Sequence, residues 1–254
     1  RRCDVVTYEF ENVPVEAARV IETVTPVRPG PQALEAAQDR LVEKTFLNNA
    51  GIETAPFRTV DSDSDLSAAL DEFGGSGGLK TRRLGYDGKG QQVFRSAESP
   101  LPAGTYEAFG KTPLILEGFV PFDREISVIA ARSQDGKVQV FDPAENIHRG
   151  GILHTSTVPA SCSAETKQNA VAAAASVLNA LSYVGVIGVE FFVLPDGSLL
   201  ANEIAPRVHN SGHWTEAACA VSQFEQHIRA IAGLPLGEPF RHSDCVMENL
   251  VGDD

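Results

Sequence analysis

Basic residues are scarce in this sequence: 21 lysines and arginines stand against 34 aspartates and glutamates, which gives a formal net charge of −13. A chain this acidic is a poor non-specific binder of nucleic acid, so we expect no nucleic-acid partner. Any anionic ligand therefore requires a local basic pocket. The four cysteines, Cys3, Cys162, Cys219 and Cys245, are scattered and form no metal-type pair. They predict reduced thiols in a cytoplasmic protein.

Signatures of several other protein classes are also missing. No run of about 18 apolar residues is present, so we expect no membrane-spanning helix. No segment has the form of a signal peptide. There is neither a Walker A loop nor a glycine fingerprint between a strand and a helix. Both ends of the chain read as strands already in progress, so we expect a longer parent protein.

What is present is a regular mixture of helices and strands. Periodicity and capping signals predict helices over residues 15–23, 31–49, 65–73, 164–180 and 215–232. Strands are expected over residues 5–10, 114–120, 125–132 and 138–141, with a further hairpin over 184–203. The glycine-rich stretch 74–78 is expected to be flexible. Antiparallel hairpins mixed with helices predict an α/β fold of the mixed α+β kind.

Two glutamates, Glu190 and Glu203, flank a predicted two-residue turn at Asp196 and Gly197. If those two residues form the loop, the glutamates lie directly opposite each other with Cβ atoms roughly 5 Å apart on one face. Paired carboxylates repel, and Mg²⁺ held between carboxylates and substrate phosphates is a common solution in nucleotide enzymes. The alternative is a solvated pair with the register shifted by one, because Pro195 can lengthen the loop.

A glycine-rich segment follows a short basic run. The basic residues are Lys80, Arg82 and Arg83, and the glycine-rich residues are Gly85, Tyr86, Asp87, Gly88, Lys89 and Gly90. Glycines let backbone N–H groups approach phosphate oxygens, and the cations neutralise charge. A phosphate-binding loop and a plain turn are both compatible with this segment, although a basic cluster in an acidic protein favours phosphate.

Further candidate site residues lie along the strands. Glu117 ends a predicted strand, and with Glu125 it either binds a purine nucleoside or forms a solvent-facing acidic edge. His148 is a phosphate or ribose contact, a general acid or base, or a satisfied loop residue. The loop after Glu203 would lie beside any bound metal and carries Arg207, His209, Asn210 and His213. We expect this loop to contact a ligand, since arginine suits carboxylates and phosphates.

The order of these pieces resembles the ATP-grasp superfamily. Four strings are similar to those of the 5-(carboxyamino)imidazole ribonucleotide synthases, the carbon–nitrogen ligases of purine biosynthesis: Lys80-Thr-Arg-Arg-Leu-Gly-Tyr-Asp-Gly-Lys-Gly-Gln91, Glu145-Asn-Ile-His148, Asn202-Glu-Ile-Ala-Pro-Arg-Val-His-Asn-Ser-Gly-His-Trp214 and Ser222-Gln-Phe-Glu225. The resemblance covers nearly the whole chain. It implies an ATP-grasp fold in which two β-rich lobes enclose ATP.

The resemblance also implies a reaction and a set of site residues. ATP would phosphorylate bicarbonate to carboxyphosphate, and 5-aminoimidazole ribonucleotide would take up the carboxyl group on its amino nitrogen, in a homodimeric cytoplasmic enzyme. Glu190 and Glu203 would hold Mg²⁺, and Lys80 and Arg207 would be catalytic. The implied ATP contacts are Arg40, Lys80, Gly85, Tyr86, Asp87, Gly88, Lys89, Gly90, Gln91, Glu117, Gly118, Phe119, Val120, Glu125, His148, Asn202 and Glu203. The implied ribonucleotide contacts are Tyr86, Arg207, His209 and Asn210.

Four parts of the chain follow from the same resemblance. Residues 1–30 are expected to be the remnant of an N-terminal dinucleotide-type domain, 31–113 the linker helices and small lobe, 114–240 the large lobe, and 241–254 the start of a C-terminal domain. Members of the family carry a glycine-rich βαβ segment before this region and a phosphate-gripping lysine and arginine after it. We therefore expect the N-terminal domain and the C-terminal segment to be truncated.

Two alternatives remain beside this interpretation. One is another ATP-grasp ligase, either a formate-dependent glycinamide ribonucleotide transformylase or a biotin carboxylase. The other is a nucleotide-binding module without turnover. Lys80, Glu190 and Glu203 occur together, which argues against a site released from catalysis.

Overall fold

The computed structural model describes residues 3–84, 90–95, 104–250 and 252. Its helices are α1 (Val15–Glu22), α2 (Pro31–Ala37), α3 (Arg40–Asn49), α4 (Asp63–Glu72), α5 (Thr105–Ala108), α6 (Ala164–Ala180), α7 (Thr215–Ala218) and α8 (Gln223–Ala232). Its strands are β1 (Phe57–Val60), β2 (Gly77–Thr81), β3 (Gln91–Phe94), β4 (Leu114–Gly118), β5 (Arg124–Arg132), β6 (Val138–Val140), β7 (Ala144–Arg149), β8 (Ile152–Val158), β9 (Gly185–Val193), β10 (Leu199–Ala205) and β11 (Cys245–Glu248). The predicted mixed α/β architecture is confirmed.

Four antiparallel strands form the smaller sheet, in the order β1-β4-β2-β3. Helix α4 packs against this sheet through Leu66 and Leu70, which join the buried Leu79 and Leu116 in one apolar cluster. The strands of this cluster carry two candidate site residues, Lys80 on β2 and Glu117 on β4. The packing of α4 therefore fixes the backbone of both residues.

The glycine-rich stretch 74–78, expected to be flexible, ends inside a strand. β2 begins at Gly77 and occupies an inner position of the small sheet. A Cβ atom at Gly77 would lie 2.8 Å from the carbonyl oxygen of Glu117, which is closer than packed atoms approach. Glycine therefore permits the close pairing of β2 and β4, and the expectation of flexibility was wrong for this position. Because Glu117 pairs with Gly78, it shares a face with Lys80 two residues along β2.

The larger sheet has the order β10-β9-β5-β7-β8-β11, and β6 pairs with β5. Its main apolar cluster joins Val177 and Leu178 of α6 to Ile187 and Phe191 of β9. Helix α6 has the predicted bounds, because the hydroxyl of its N-cap Ser163 accepts a hydrogen bond from the backbone N–H of Thr166 at 3.0 Å. β10 lies at one edge of this sheet, so one row of its backbone groups requires partners from elsewhere in the chain.

Three predicted elements were wrong in extent. Residues 5–10 form no strand, since Val6 makes only an isolated parallel bridge to Val27. The predicted helix 31–49 is two helices, because Asp39 is extended (φ −128°, ψ 116°) and its carboxylate caps α3 by accepting from the N–H of Leu41. The predicted helix 215–232 is likewise divided into α7 and α8, and Ser222 caps the second of them.

Sheet membership bears on the expected division of the chain. β4, which begins at Leu114, pairs within the small sheet, and β11 pairs with β8 in the large one. The four-part division itself stays a prediction.

All four cysteines are free thiols. In the part of the chain that the structure describes, no helix is both long enough and apolar enough to cross a membrane.

Candidate functional site

A cleft with a volume of about 730 Å³ is lined by both sheets, by α3 and by the chain near Glu11. Most of the candidate site residues that the structure describes line it together: Arg40, Lys80, Gly90, Gln91, Glu125, His148, Glu190, Asn202, Glu203, Arg207, His209 and Asn210. The fold therefore brings candidate residues from segments that lie far apart in the chain to one cleft, and their roles stay predictions.

Some predicted residues are not part of this lining. Gly85, Tyr86, Asp87, Gly88 and Lys89, predicted as the phosphate loop and ribonucleotide contacts, lie outside the described residues. Glu117 lies behind Lys80 and pairs with it. Gly118 ends β4 and Phe119 and Val120 follow it; the N–H of Gly118 donates to the carbonyl of Pro56 at 2.8 Å, and the Phe119 side chain is exposed.

The hairpin of β9 and β10 has a three-residue loop instead of the predicted two-residue loop. The N–H of Leu194 donates to the carbonyl of Ser198 at 2.9 Å, and Gly197 closes the loop with a positive φ of 85°. Near the turn the register therefore differs by one residue from the prediction, and Leu199 pairs with Val193.

A β-bulge restores the predicted pairing further along the hairpin. The register shifts between Ala201 and Glu203, so that Asn202 is the extra residue and Glu203 pairs with Glu190. The prediction that these two glutamates face each other is confirmed, although by two irregularities that compensate each other. The bulge also brings Asn202 into the cleft beside them.

Glu190 is a nearly buried carboxyl in an acidic environment. Its Oε1 lies 3.6 Å from Nε2 of His209, and its side chain is only 12% exposed. A Cβ atom at Gly188 would lie 2.8 Å from Cβ of His209, so glycine at that position makes room for the histidine. Burial, reinforced by the charge of Glu203, raises the pKa of Glu190 to about 8. The site therefore disfavours an ionised Glu190 unless a cation is present.

Glu125 and His148 lie next to Glu190. Nδ1 of His148 is 2.8 Å from Oε2 of Glu125, and this carboxylate raises the pKa of His148. One ligand atom from each of the three residues lies within 4.8 Å of the other two, a spacing compatible with a bound metal ion. The neighbourhood of Glu190 thus contains more cation-binding groups than the two glutamates that the sequence singled out.

Helix α3 lies beside the edge strand β10 and contacts Glu203. Nη1 of Arg40 lies 3.6 Å from Oε2 of Glu203. One turn further along, the buried Glu43 accepts a hydrogen bond from the backbone N–H of Ile204 at 2.6 Å. Burial, together with the charge of Glu203, raises the pKa of Glu43 to about 8. The outer edge of β10 is therefore contacted by a buried carboxyl group of α3, while a guanidinium group of the same helix faces Glu203.

The small-sheet side of the cleft has the opposite electrostatics. Oε2 of Glu117 lies 2.9 Å from Nζ of Lys80 and 3.5 Å from Nζ of Lys44, and both Glu117 and Lys44 are buried. Burial alone would raise the pKa of Glu117, but the two ammonium groups lower it to about 2. Lys80 thus reaches the cleft with its charge partly balanced by the carboxylate behind it.

Arg207 lies in the cleft and is held by Glu11. Its Nη2 donates to Oε1 of Glu11 at 3.1 Å, its Nε pairs with Oε2, and its Nη1 donates to the carbonyl of Val208 at 3.0 Å. The neighbouring His209 hydrogen-bonds with the hydroxyl of Ser211 at 2.8 Å. Burial and the charge of Arg207 lower the pKa of His209 to about 4, so this imidazole is neutral near pH 7.

Sequence reasoning missed several residues that complete the site, namely Glu11, Asp39, Glu43, Lys44 and, as a partner of Asp39, Arg82. The guanidinium of Arg82 binds both carboxylate oxygens of Asp39 at 3.0 and 2.8 Å, which links the chain just after β2 to the start of α3. One signal was available, because Arg40, Glu43 and Lys44 have the spacing that places charged side chains on one face of a helix.

Comparison with known proteins agrees with this geometry. The family model of the ATP-grasp domain matches residues 45–224, and the model of the ribonucleotide synthetase preATP-grasp domain matches residues 1–38. The N5-carboxyaminoimidazole ribonucleotide synthase of Brucella melitensis is 64% identical over 251 residues, which cover 99% of this chain and 69% of that protein. The chain belongs to the N5-carboxyaminoimidazole ribonucleotide synthase family. The resemblance that the motifs indicated is therefore confirmed, as is the ATP-grasp fold.

Other members of the synthase family match over the same extent. The synthase of Pseudomonas aeruginosa is 45% identical and is matched over 98% of this chain and 68% of its own length. The crystal structure of the synthetase from Thermus thermophilus superposes with a TM-score of 0.91 at 48% identity, over 99% of this chain and 68% of that one. The synthase from Aspergillus clavatus, solved in complex with ADP and 5-aminoimidazole ribonucleotide, gives a TM-score of 0.89 at 30% identity, over 99% of this chain and 66% of that one.

Proposed function

We propose that this protein catalyses the ATP-dependent carboxylation of 5-aminoimidazole ribonucleotide by bicarbonate, which yields N5-carboxyaminoimidazole ribonucleotide, ADP and phosphate. The observation that carries the proposal is the pairing of Glu190 with Glu203 in the same cleft as Lys80 and Arg207. The cleft combines carboxylates that suit a cation with basic side chains that suit phosphate groups, which is the combination that phosphoryl transfer requires.

The carboxylates of the hairpin fit a magnesium ion. Glu190 and Glu203 offer hard oxygen ligands, and burial beside a like charge raises the pKa of Glu190 to about 8, so its negative charge is not balanced by the protein. We assign these two residues to Mg²⁺, with Asn202 alongside. When bound, Mg²⁺ would neutralise and orient the phosphates of ATP.

The remaining roles follow from charge and position. Lys80 and Arg40 balance the negative charge of the triphosphate, while Glu125 and His148 contact the nucleoside or its phosphates. Arg207, the neutral His209 and Asn210 hold the ribonucleotide. In the same proposal, residues 85–89 form the loop that covers the phosphates. Tyr86 also contacts the ribonucleotide.

The proposed chemistry requires no nucleophile from the protein. A bicarbonate oxygen attacks the γ-phosphorus, the bond from that phosphorus to the ADP oxygen breaks, and carboxyphosphate forms. The 5-amino nitrogen then bonds to the carboxyl carbon, phosphate leaves with the electron pair of the broken C–O bond, and the amino nitrogen loses a proton. The protein contributes by placing the reactants and by neutralising charge.

Three further parts of the proposal concern the setting of the enzyme. Bicarbonate is the carboxyl donor, the enzyme is a homodimer, and it functions in the cytoplasm. The family resemblance supports the first two. Four free thiols support a reducing compartment.

Substrate-dependent release of phosphate tests the proposal. With the full-length protein, Mg²⁺ and ATP, phosphate release should rise when 5-aminoimidazole ribonucleotide and bicarbonate are both present, and removal of either should return it to the background rate. Stimulation by formate and glycinamide ribonucleotide would instead identify the sister transformylase. Tight ATP binding without stimulation by any of these substrates would identify a nucleotide-binding module.

A further inference from the structure

The edge strand β10 is the part of the site with the greatest need of external support. It lies at the end of the large sheet, carries the bulge at Asn202 and bears Glu203 immediately afterwards. A bulge leaves one residue outside the regular ladder, and an edge strand has a row of backbone groups with no neighbouring strand. Without other partners, the segment around Glu203 would be free to change register.

The N–H of Ala201, just before the bulge, donates to the carbonyl of Glu53 at 2.7 Å. Beyond Ala201, partners for these backbone groups come from α3. The carboxylate of Glu43 accepts a hydrogen bond from the N–H of Ile204 at 2.6 Å, and Nζ of Lys44 donates to the carbonyl of Asn202 at 3.3 Å. Glu43 and Lys44 are 2% and 1% exposed, so neither is a solvated surface charge. The two side chains therefore bind the backbone on both sides of Glu203.

The same two residues connect this edge to the rest of the cleft. Lys44 also lies 3.5 Å from the carboxylate of Glu117, so one ammonium group joins β10 of the large sheet to β4 of the small one. Arg40, on the same face of α3, lies 3.6 Å from the carboxylate of Glu203. One face of a single helix thus contacts the side chain of Glu203 and the backbone on either side of it.

We propose that Glu43 and Lys44 form a positioning clamp that holds the bulged segment of β10 and so sets where the Glu203 carboxylate lies. This inference rests on the proposed function, because it treats Glu203 as a ligand of the metal ion that accompanies ATP. Residues that orient metal ligands from behind typically change metal affinity when they are replaced. The clamp acts through the reach of the Glu43 side chain to the N–H of Ile204, not through its charge.

Two substitutions separate the reach of the side chain from its ability to ionise. Glu43→Gln keeps a carbonyl oxygen at the same distance along the side chain and removes the ionisable group. Glu43→Asp keeps the ionisable group and withdraws the acceptor by one methylene group. The matched controls are Glu72→Gln and Glu72→Asp on α4, where the glutamate is exposed and pairs with Arg58.

Two measurements read the position of β10 without turnover. The first is hydrogen exchange of the segment 199–206 in the ligand-free protein. The second is the calorimetric affinity for a non-hydrolysable ATP analogue in the presence of Mg²⁺. We expect Glu43→Gln to match the wild type in both, while Glu43→Asp exchanges faster over this segment and binds the analogue about tenfold more weakly.

The reverse pattern, in which Glu43→Gln is impaired and Glu43→Asp is not, would overturn the clamp, because the ionisable group rather than its reach would then matter. Equal impairment of both variants, or wild-type behaviour of both, would overturn it as well. Neither readout depends on which substrate is carboxylated. If the wild-type protein failed to use 5-aminoimidazole ribonucleotide, the proposed function would fail while these measurements still decided the clamp.

Discussion

Glu117 and Glu190 are both glutamates with little exposure to solvent, and they belong to opposite walls of the same site. The protein nevertheless shifts their pKa values in opposite directions. Two lysines surround the carboxylate of Glu117 and lower its pKa to about 2. Glu190 is surrounded by other acidic groups and two histidines, and burial with the charge of Glu203 raises its pKa to about 8. The same side chain therefore has its charge balanced by the protein on one wall and left unbalanced on the other.

This difference indicates a structural role for Glu117 and a functional role for Glu190. On the small-sheet wall Oε2 of Glu117 is paired with both lysines, so the main effect of this cluster is to hold Lys80 in place. On the hairpin wall the charges are incomplete, and a perturbed carboxyl in a cleft is a common property of functional sites. In the proposed function a cation supplies what that wall lacks, and the free energy of binding it balances the cost of bringing the carboxylates together. Substitutions on the two walls should therefore have different consequences.

The largest effect is expected from Glu203→Gln, which removes one of the two paired carboxylates. We expect turnover to fall on the order of 10²–10³-fold, because the amide binds a divalent cation far less well and the phosphates lose an orienting group. The measurement is substrate-dependent phosphate release by the full-length protein at saturating ATP. Raising the Mg²⁺ concentration should recover part of the activity if metal affinity is the main loss.

Glu238→Gln is the matched control for this experiment, since the residue lies outside the cleft. It should leave turnover unchanged. Unchanged turnover in Glu203→Gln itself would contradict the assignment of the hairpin to the metal ion. It would also remove the contrast between the two walls, because the unbalanced carboxylates would then have no ligand to bind.

The second effect concerns stability on the balanced wall. Glu117→Gln leaves the buried Lys44 without its carboxylate, and the loss of one partner of a buried ion pair typically costs about 3 kcal/mol or more. We expect the free energy of unfolding, measured by urea denaturation at pH 7, to fall by about this amount. Glu107→Gln, at the exposed pair with Lys111, is the control and should change little. Equal stability of the Glu117 variant and the wild type would show that Lys80 and Lys44 need no counter-charge.

The sequence contained enough information to place Glu190 opposite Glu203, but not for the reason given. The prediction assumed a two-residue loop and a regular ladder. The structure has a three-residue loop and a bulge at Asn202, and the two shifts cancel. Bulge positions depend on what binds the edge strand from outside, here Glu43 and Lys44, which lie about 160 residues earlier in the chain. No local pattern around the hairpin contains that information.

The same limit explains the break between α2 and α3. The apolar periodicity runs through residues 31–49, so it predicts one helix. The chain is interrupted at Asp39 because its carboxylate caps α3 and binds the guanidinium of Arg82, which lies 43 residues further along. The Ser163 cap of α6 was read correctly. The caps at Asp39 and Ser222 are equally local, but they fall inside the predicted helices 31–49 and 215–232 and were missed.

The smallest expected effect is the change in stability caused by Glu190→Gln. It tests the comparison most directly, because it has the opposite sign to the effect of Glu117→Gln. In the folded protein Glu190 binds its proton more tightly than an ordinary glutamate does. The stability that this provides is fully present below the unfolded pKa of 4.5 and is lost as the pH rises through about 8. Glu190→Gln has no proton to lose, so we expect it to match the wild type at pH 5 and to be more stable at pH 8 by about 1 kcal/mol, since neighbouring carboxyls share the repulsion.

Urea denaturation at the two pH values, with a chelator to remove divalent cations, measures this difference. Glu72→Gln is the control, because its exposed carboxyl should give the same small difference at both pH values. A Glu190 variant that was less stable than the wild type at pH 8 would mean that the hairpin wall is balanced by the protein itself. Another outcome is a variant that is more stable than the wild type without the metal and has lower turnover with it. This outcome would show that the repulsion between Glu190 and Glu203 serves ligand binding and not folding stability.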